Sequence, residues 1–239
     1  MWLALETATD RASVAVGRTA ADAVEESLTG ARRHAGALLG MVEATLRRRG
    51  VGLDAITGLV VSDGPGSFTG LRVGATAAKA LARARGLPLH AAPSLMARAA
   101  GVAGGPDSLV LAVSDALRGE VYAGAFRFDA RSVATELEPG VRRPESLAPL
   151  GLRPGVLVGE APVAVRALLE RSTGLAMIGP PEGAPRATAL IALAGLEGGA
   201  REVPDPSEWE PFYGRPAEAQ ARWEIAHGRP LPDPAGDTR

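Results

Sequence analysis

Three stretches of the 239-residue chain gather side chains able to do chemistry. The first is Leu5-Glu6-Thr7-Ala8-Thr9-Asp10, where two carboxylates and two hydroxyls follow an apolar run. Glu6 or Asp10 there would act as a ligand for metal-bound phosphate; an equal alternative makes Thr7 and Thr9 turn-stabilising hydroxyls. The second is Ser62-Asp63-Gly64-Pro65-Gly66-Ser67-Phe68-Thr69-Gly70-Leu71-Arg72, a glycine-rich turn ahead of a helical pattern. Free N–H groups and the positive end of a helix dipole suit a phosphate or carboxylate at such a place. The spacing nonetheless departs from the P-loop, the dinucleotide fingerprint and the nucleophile elbow. A tight turn capped by Ser67 or Thr69 is therefore the favoured reading. The third is Asp115-Ala116-Leu117-Arg118-Gly119-Glu120, in which Asp115 is either a reactive carboxylate or a turn starter.

The remaining chemistry is sparse. His34, His90 and His227 lie far apart, and Leu38 stands where a helical second ligand would follow His34. No metal site and no cofactor is expected. The absence of Cys removes thiolate ligands, disulfides and a cysteine nucleophile. A net charge of -1 and nine scattered aromatics argue against a dedicated nucleic-acid binder, because such binding rests on phosphate neutralisation and base stacking. No basic leader or long apolar run is present, which leads to the expectation of a soluble cytoplasmic protein without a membrane anchor.

The elements that would position these groups follow from periodicity. Trp2 to Leu5, Ser13 to Gly17 and Ala23 to Leu28 read as three short strands in an antiparallel meander. A helix is expected over His34 to Arg49, stopped by Gly50, then a strand at Leu59 to Ser62 and a helix from Thr69 to Arg85, closed by Gly86 and Pro88. A third helix spans Ser94 to Ala100. After the break at Gly104 to Pro106 come strands at Leu109 to Val113, Glu120 to Phe128 and Gly155 to Gly159, with helices at Val163 to Glu170 and Thr188 to Gly195. The βββαβα order followed by a second set points to an α/β fold with a mixed sheet in each half. The expected division is a lobe over 1–104, a smaller lobe over 105–229 and a disordered tail over 230–239.

Two helices carry more apolar surface than one sheet can hide. In the first, Ala35, Leu38, Leu39, Val42 and Leu46 form the core stripe, and Ala37, Met41, Ala44 and Arg48 form a second, with Thr45 at its edge. In the next, Arg72, Thr76, Lys79 and Arg83 make a narrow polar stripe in a circumference otherwise filled by Leu71, Val73, Gly74, Ala75, Ala77, Ala78, Ala80, Leu81, Ala82 and Ala84. The surplus implies a second partner, from the same chain or another.

The run Asp63 to Gly74, preceded by Leu3-Ala4-Leu5-Glu6-Thr7-Ala8-Thr9 and followed by Arg118-Gly119-Glu120-Val121-Tyr122, resembles the TsaB (YeaZ) family. Pro211-Phe212-Tyr213-Gly214-Arg215 adds to it. The resemblance implies a two-lobed actin, Hsp70 and sugar-kinase type of fold with the second lobe reduced. It also implies a non-catalytic subunit in the modification of the adenosine 3′ of the tRNA anticodon to threonylcarbamoyladenosine. The partners it implies are a TsaD-like catalytic subunit, a TsaE-like ATPase and tRNA reached through the complex. In this family the contact is a bundle of the first two helices, also used for homodimers. Laid on the stripes above, that contact would involve Ala37, Met41, Ala44, Thr45, Arg48, Leu71, Arg72, Ala75, Ala78 and Lys79. The alternative is a stand-alone ATP-dependent phosphotransferase or metallopeptidase of the same fold. It would need a glycine in the Glu6-Thr7-Ala8 turn or a second His at Leu38, and neither is there.

Overall fold

Leu3 and Leu5 face one side of the first strand, β1 (Trp2–Glu6), and Ala4 the other, as the two-residue repeat of a strand requires. A computed structural model describes residues 1–30 and 34–214. β1 pairs antiparallel with β2 (Arg11–Gly17), and β2 with β3 (Val24–Thr29), completing the meander. Helix α1 (His34–Arg49) crosses over, so that β4 (Gly58–Ser62) enters parallel to β1. Helix α2 (Phe68–Arg85) makes a second crossover to β5 (Leu89–Ala92), parallel to β4, and α3 (Ser94–Ala100) follows.

The second sheet begins past the Gly104 to Pro106 break. β6 (Ser108–Asp115), β7 (Val121–Phe128) and β8 (Val133–Arg142) run antiparallel. β9 (Val156–Gly159) lies parallel to β6; after α4 (Val163–Thr173), β10 (Met177–Ile178) lies parallel to β9. The chain then returns. Helix α5 (Ala187–Ala194) packs on β1, β2 and β4, and β11 (Arg201–Glu202) pairs antiparallel with β5. The first sheet is thus six-stranded, β11-β5-β4-β1-β2-β3, and the second five-stranded, β10-β9-β6-β7-β8.

The layers follow from which face each side chain takes. Leu3, Leu5, Val14, Val16, Leu59 and Val61 meet Leu38 and Val42 of α1 and Ala75, Ala78 and Ala82 of α2. On the opposite face Ala4, Ala15 and Val60 meet α5, which packs on α3, and α3 in turn meets Val110, Ala112, Phe126 and Val158 of the second sheet. Leu109, Leu111, Val113 and Leu157 pack with Leu169 of α4 on the outside. Arg98 of α3 is buried between the sheets. Its guanidinium donates to a Glu160 carboxylate oxygen beyond β9 and to the Gly183 carbonyl beyond β10, each at 2.8 Å.

Four strands escape the sequence patterns. β5 is four residues between Pro88 and Pro93, too short for a readable alternation, and β8 is a half-exposed edge strand whose partner registers shift near Pro139 and Gly140. β10 and β11 have two residues each. The tail expected over 230–239, and with it Arg215 and His227, lies outside the described residues. Among the described residues no helix is long and apolar enough to cross a membrane.

Candidate functional site

The turn after β1 uses its own polar groups. Glu6 is fully buried, and one of its carboxylate oxygens accepts the Ala8 N–H at 2.7 Å. Burial pushes the Glu6 carboxyl up to about 7, opposed by that hydrogen bond and by the Arg98 charge. The Thr9 hydroxyl donates to the Arg11 carbonyl and accepts the Arg11 N–H, which is the turn-stabilising role. The Ala8 amide that would face a phosphate is therefore occupied by Glu6 itself, and the turn does not fit a phosphate loop. Asp10, on the same turn, is exposed.

The glycine-rich loop is likewise a splice between elements. Ser67 caps α2, its hydroxyl accepting the Gly70 N–H at 3.2 Å, while its own N–H donates to the Ala8 carbonyl at 2.7 Å. A Cβ at Gly70 would run into the Thr7 carbonyl oxygen, and one at Gly74 into the Thr7 hydroxyl. These glycines bring α2 directly onto the β1 turn. The segment after β11 straps the loop from outside. Asp63 pairs with Arg201 at 2.5 Å, and the Phe212 N–H donates to the Asp63 carbonyl at 2.7 Å. Burial raises the Asp63 carboxyl above its ordinary value, against the pull of Arg201. Further along the strap, the Tyr213 ring lies 4.7 Å from that of Phe68. Asp115 is a turn starter, accepting the Leu117 N–H at 2.8 Å.

What the molecule leaves open is an apolar groove of about 740 Å³ between α1 and α2. Ala35, Leu38 and Leu39 line one wall; Phe68, Val73, Ala77, Ala80, Leu81 and Ala84 line the other, with Thr69, Arg72 and Thr76 on the rim. The surplus apolar arc of α2 thus exists, but on other residues than those expected to make contact. Thr45, Leu71, Ala75 and Ala78 are buried by the chain's own sheet and offer nothing to a partner in this conformation. Leu39, expected in the core stripe, is 63% exposed.

The second stripe of α1 faces the other flank. Arg48 pairs with Glu26 of β3 and reaches the Glu25 carbonyl; Ala37, Met41 and Ala44 share its arc and are half-buried. Lys79 pairs with Glu210 at 3.2 Å and lies over the Trp209 ring, so the strap occupies it. Of the ten expected contact residues, Arg72 alone lines the groove. Phe68 and Leu39 were the signals available in the sequence, two large apolar residues at the ends of otherwise small-residue arcs.

A second recess of about 500 Å³ lies between the sheets, lined by Thr9, Asp10, Arg11, Ser27 and Thr29 on one side and Glu160, Pro180, Pro181 and Ala184 on the other. Among the described residues no group of three or more His, Asp or Glu is placed to hold a metal ion.

Comparison with known proteins accords with this architecture. Residues 28–167 match the family model TsaD, tRNA N6-adenosine threonylcarbamoyltransferase. The tRNA threonylcarbamoyladenosine biosynthesis protein TsaB of Escherichia coli is 36% identical over 132 residues, 55% of this chain and 57% of that protein. TsaB of Bacillus subtilis is 33% identical over 171 residues, 69% of this chain and 72% of that protein. The matches thus span between about half and three quarters of these two relatives. The structure of YeaZ from Pseudomonas aeruginosa superposes with a TM-score of 0.69 at 27% identity, covering 89% of this chain and 98% of that one. The fold is accordingly the α/β architecture of YeaZ, built on two mixed sheets. With relatives of this similarity over this coverage, and an architecture shared with YeaZ nearly end to end, the chain belongs to the TsaB (YeaZ) family.

Proposed function

We propose that the protein is a non-catalytic subunit that docks a TsaD-like catalytic subunit through the α1–α2 groove and holds it in a competent state. A TsaE-like ATPase and tRNA join through that complex. The observation that carries the reading is the groove itself, an uncovered apolar surface on the two helices to which the family resemblance points for subunit contact. Gly36 and Gly40 of α1 lie exposed beside the groove, outside its lining, and extend the surface open to another helix. A Cβ at either would meet nothing within 4 Å in this chain, so no internal packing calls for glycine there. Each costs helix stability of about 1 kcal/mol relative to Ala, and close approach of another helix would offset that cost. The basic rim at Arg72 suits a partner with acidic residues flanking its apolar face. The absence of catalysis by this chain alone fits a β1 turn whose amide is already taken by Glu6.

The test is association with the TsaD of the same organism. Leu39→Arg and Ala80→Glu alter exposed groove positions and are expected to leave thermal unfolding unchanged while abolishing co-elution with TsaD and stimulation of tRNA modification. Unchanged complex formation by both variants would place docking elsewhere. Modification activity of the chain without TsaD would overturn the non-catalytic role.

A further inference from the structure

Helix α2 has two open flanks, and Ala80 belongs to both. On one side Ala80 lines the groove shared with α1. On the other it lines a recess of about 710 Å³ between the C-terminal half of α2 and the strap, where Lys79, Arg83 and Leu87 face Asp205, Pro206 and Ser207. Ala80 is exposed, so at that turn a methyl group divides the two hollows.

The ridge between the flanks is charged in a defined way. Arg72, Lys79 and Arg83 follow one another at seven and four residues, which keeps all three within about 20° of the line through Arg72. Lys79 is answered inside the chain: it pairs with Glu210 at 3.2 Å and lies 5.7 Å from the centre of the Trp209 ring. Arg72 and Arg83 are exposed and form no ion pair among the described residues; the Arg72 guanidinium lies 5.2 Å over the Phe68 ring. Asp205, the acid in the recess, already accepts the Ser207 N–H at 2.8 Å and the Ser207 hydroxyl at 2.6 Å. Two guanidiniums without a carboxylate thus stand about 16 Å apart along the helix, Arg72 at the groove and Arg83 at the recess.

We infer that the partner docked in the α1–α2 groove also closes on the second flank, gripping α2 from both sides and setting an acidic side chain against each of Arg72 and Arg83. The inference rests on the groove being the docking site of the TsaD-like subunit, and adds to that reading a second contact face and its charge. Charge alone would suit an RNA backbone equally. The walls favour protein: Ala80, Ala82, Leu87 and Pro206 are apolar, and Trp209 is buried beneath Lys79 with no face open to a base. A second copy of the chain fits less well, because a two-fold contact through this ridge sets like charges against each other.

Arg83→Glu and Ser207→Trp change exposed recess positions outside the groove. Affinity for TsaD of the same organism is measured at low and high salt beside the melting temperature. Each variant is expected to weaken binding about tenfold or more with melting unchanged. The loss from Arg83→Glu is expected to shrink at high salt, where surface charge is screened, and the loss from Ser207→Trp, which fills the recess, to persist. Wild-type affinity in both variants, with Leu39→Arg still unable to bind, would overturn this inference and leave the groove as the docking site. Wild-type affinity in Leu39→Arg as well would overturn the docking reading itself. Variants that keep affinity for TsaD but lose affinity for tRNA, or lose self-association, would assign the recess to RNA or to a second copy and equally overturn the inference.

Discussion

Glu6 carries a carboxyl that the fold keeps out of water, and its titration is a stability term. Its pKa is raised from the ordinary carboxylate value of 4.5 to about 7, so the folded state holds the proton more tightly than the unfolded chain does. The stabilisation is fully present below about pH 4.5 and is lost as the pH rises through 7. A difference of that size corresponds to about 3 kcal/mol. Glu6→Gln keeps the shape, cannot ionise, and is expected to flatten the fall in urea-unfolding free energy between pH 5 and pH 8. An unaltered pH profile in the variant would remove Glu6 from this role. The sequence left Glu6 and Asp10 balanced between phosphate chemistry and turn formation, and only packing separates them. Ser62 and Arg98, which oppose the effect of burial on Glu6, are 56 and 92 residues away in the chain, and no local spacing reports such contacts.

The helices were the most legible elements. His34 to Arg49 was readable from periodicity and the Gly50 stop, and α2 to within one residue. What periodicity does not tell is on which side the sheet lies. Both stripes of α1 were visible, but a helical wheel has no external reference direction, so which of them lies beside the groove was not legible. Ala75 shows the consequence: it faces Leu3 and Val61 in the core, so a charge there would test folding and not docking. Gly36 and Gly40 are better reporters. Changing either to Ala is expected to stabilise the isolated chain by up to about 1 kcal/mol in denaturant unfolding. The bulkier Gly40→Leu is expected to weaken association with TsaD without lowering the melting temperature. A Gly40→Leu variant that unfolds early would mean that the site is internally packed after all.

Across the whole molecule, α5 packs on the first sheet and α3 on the second, the two helices pack on each other, and Arg98 fastens α3 to the loops after β9 and β10. Its guanidinium is almost wholly buried, whereas its partner Glu160 is partly in water. Arg98→Ala would empty a large volume and leave the Gly183 carbonyl without this donor. It is expected to lower unfolding free energy by several kcal/mol, as seen for other broken buried pairs; a loss below about 1 kcal/mol in chemical denaturation would show that apolar packing alone holds α3 in place. The return of the chain at α5 and β11 was not legible, because a two-residue strand has no pattern of its own. It also sets a timetable for synthesis. In synthesis β1 to β5 emerge long before Arg201, so the underside of β1 stays uncovered until α5 has been made and the edge of β5 bare until β11 follows. Stalling or premature termination anywhere in between yields a product with a sticky border, a substrate for chaperones and proteases and not a half-working protein.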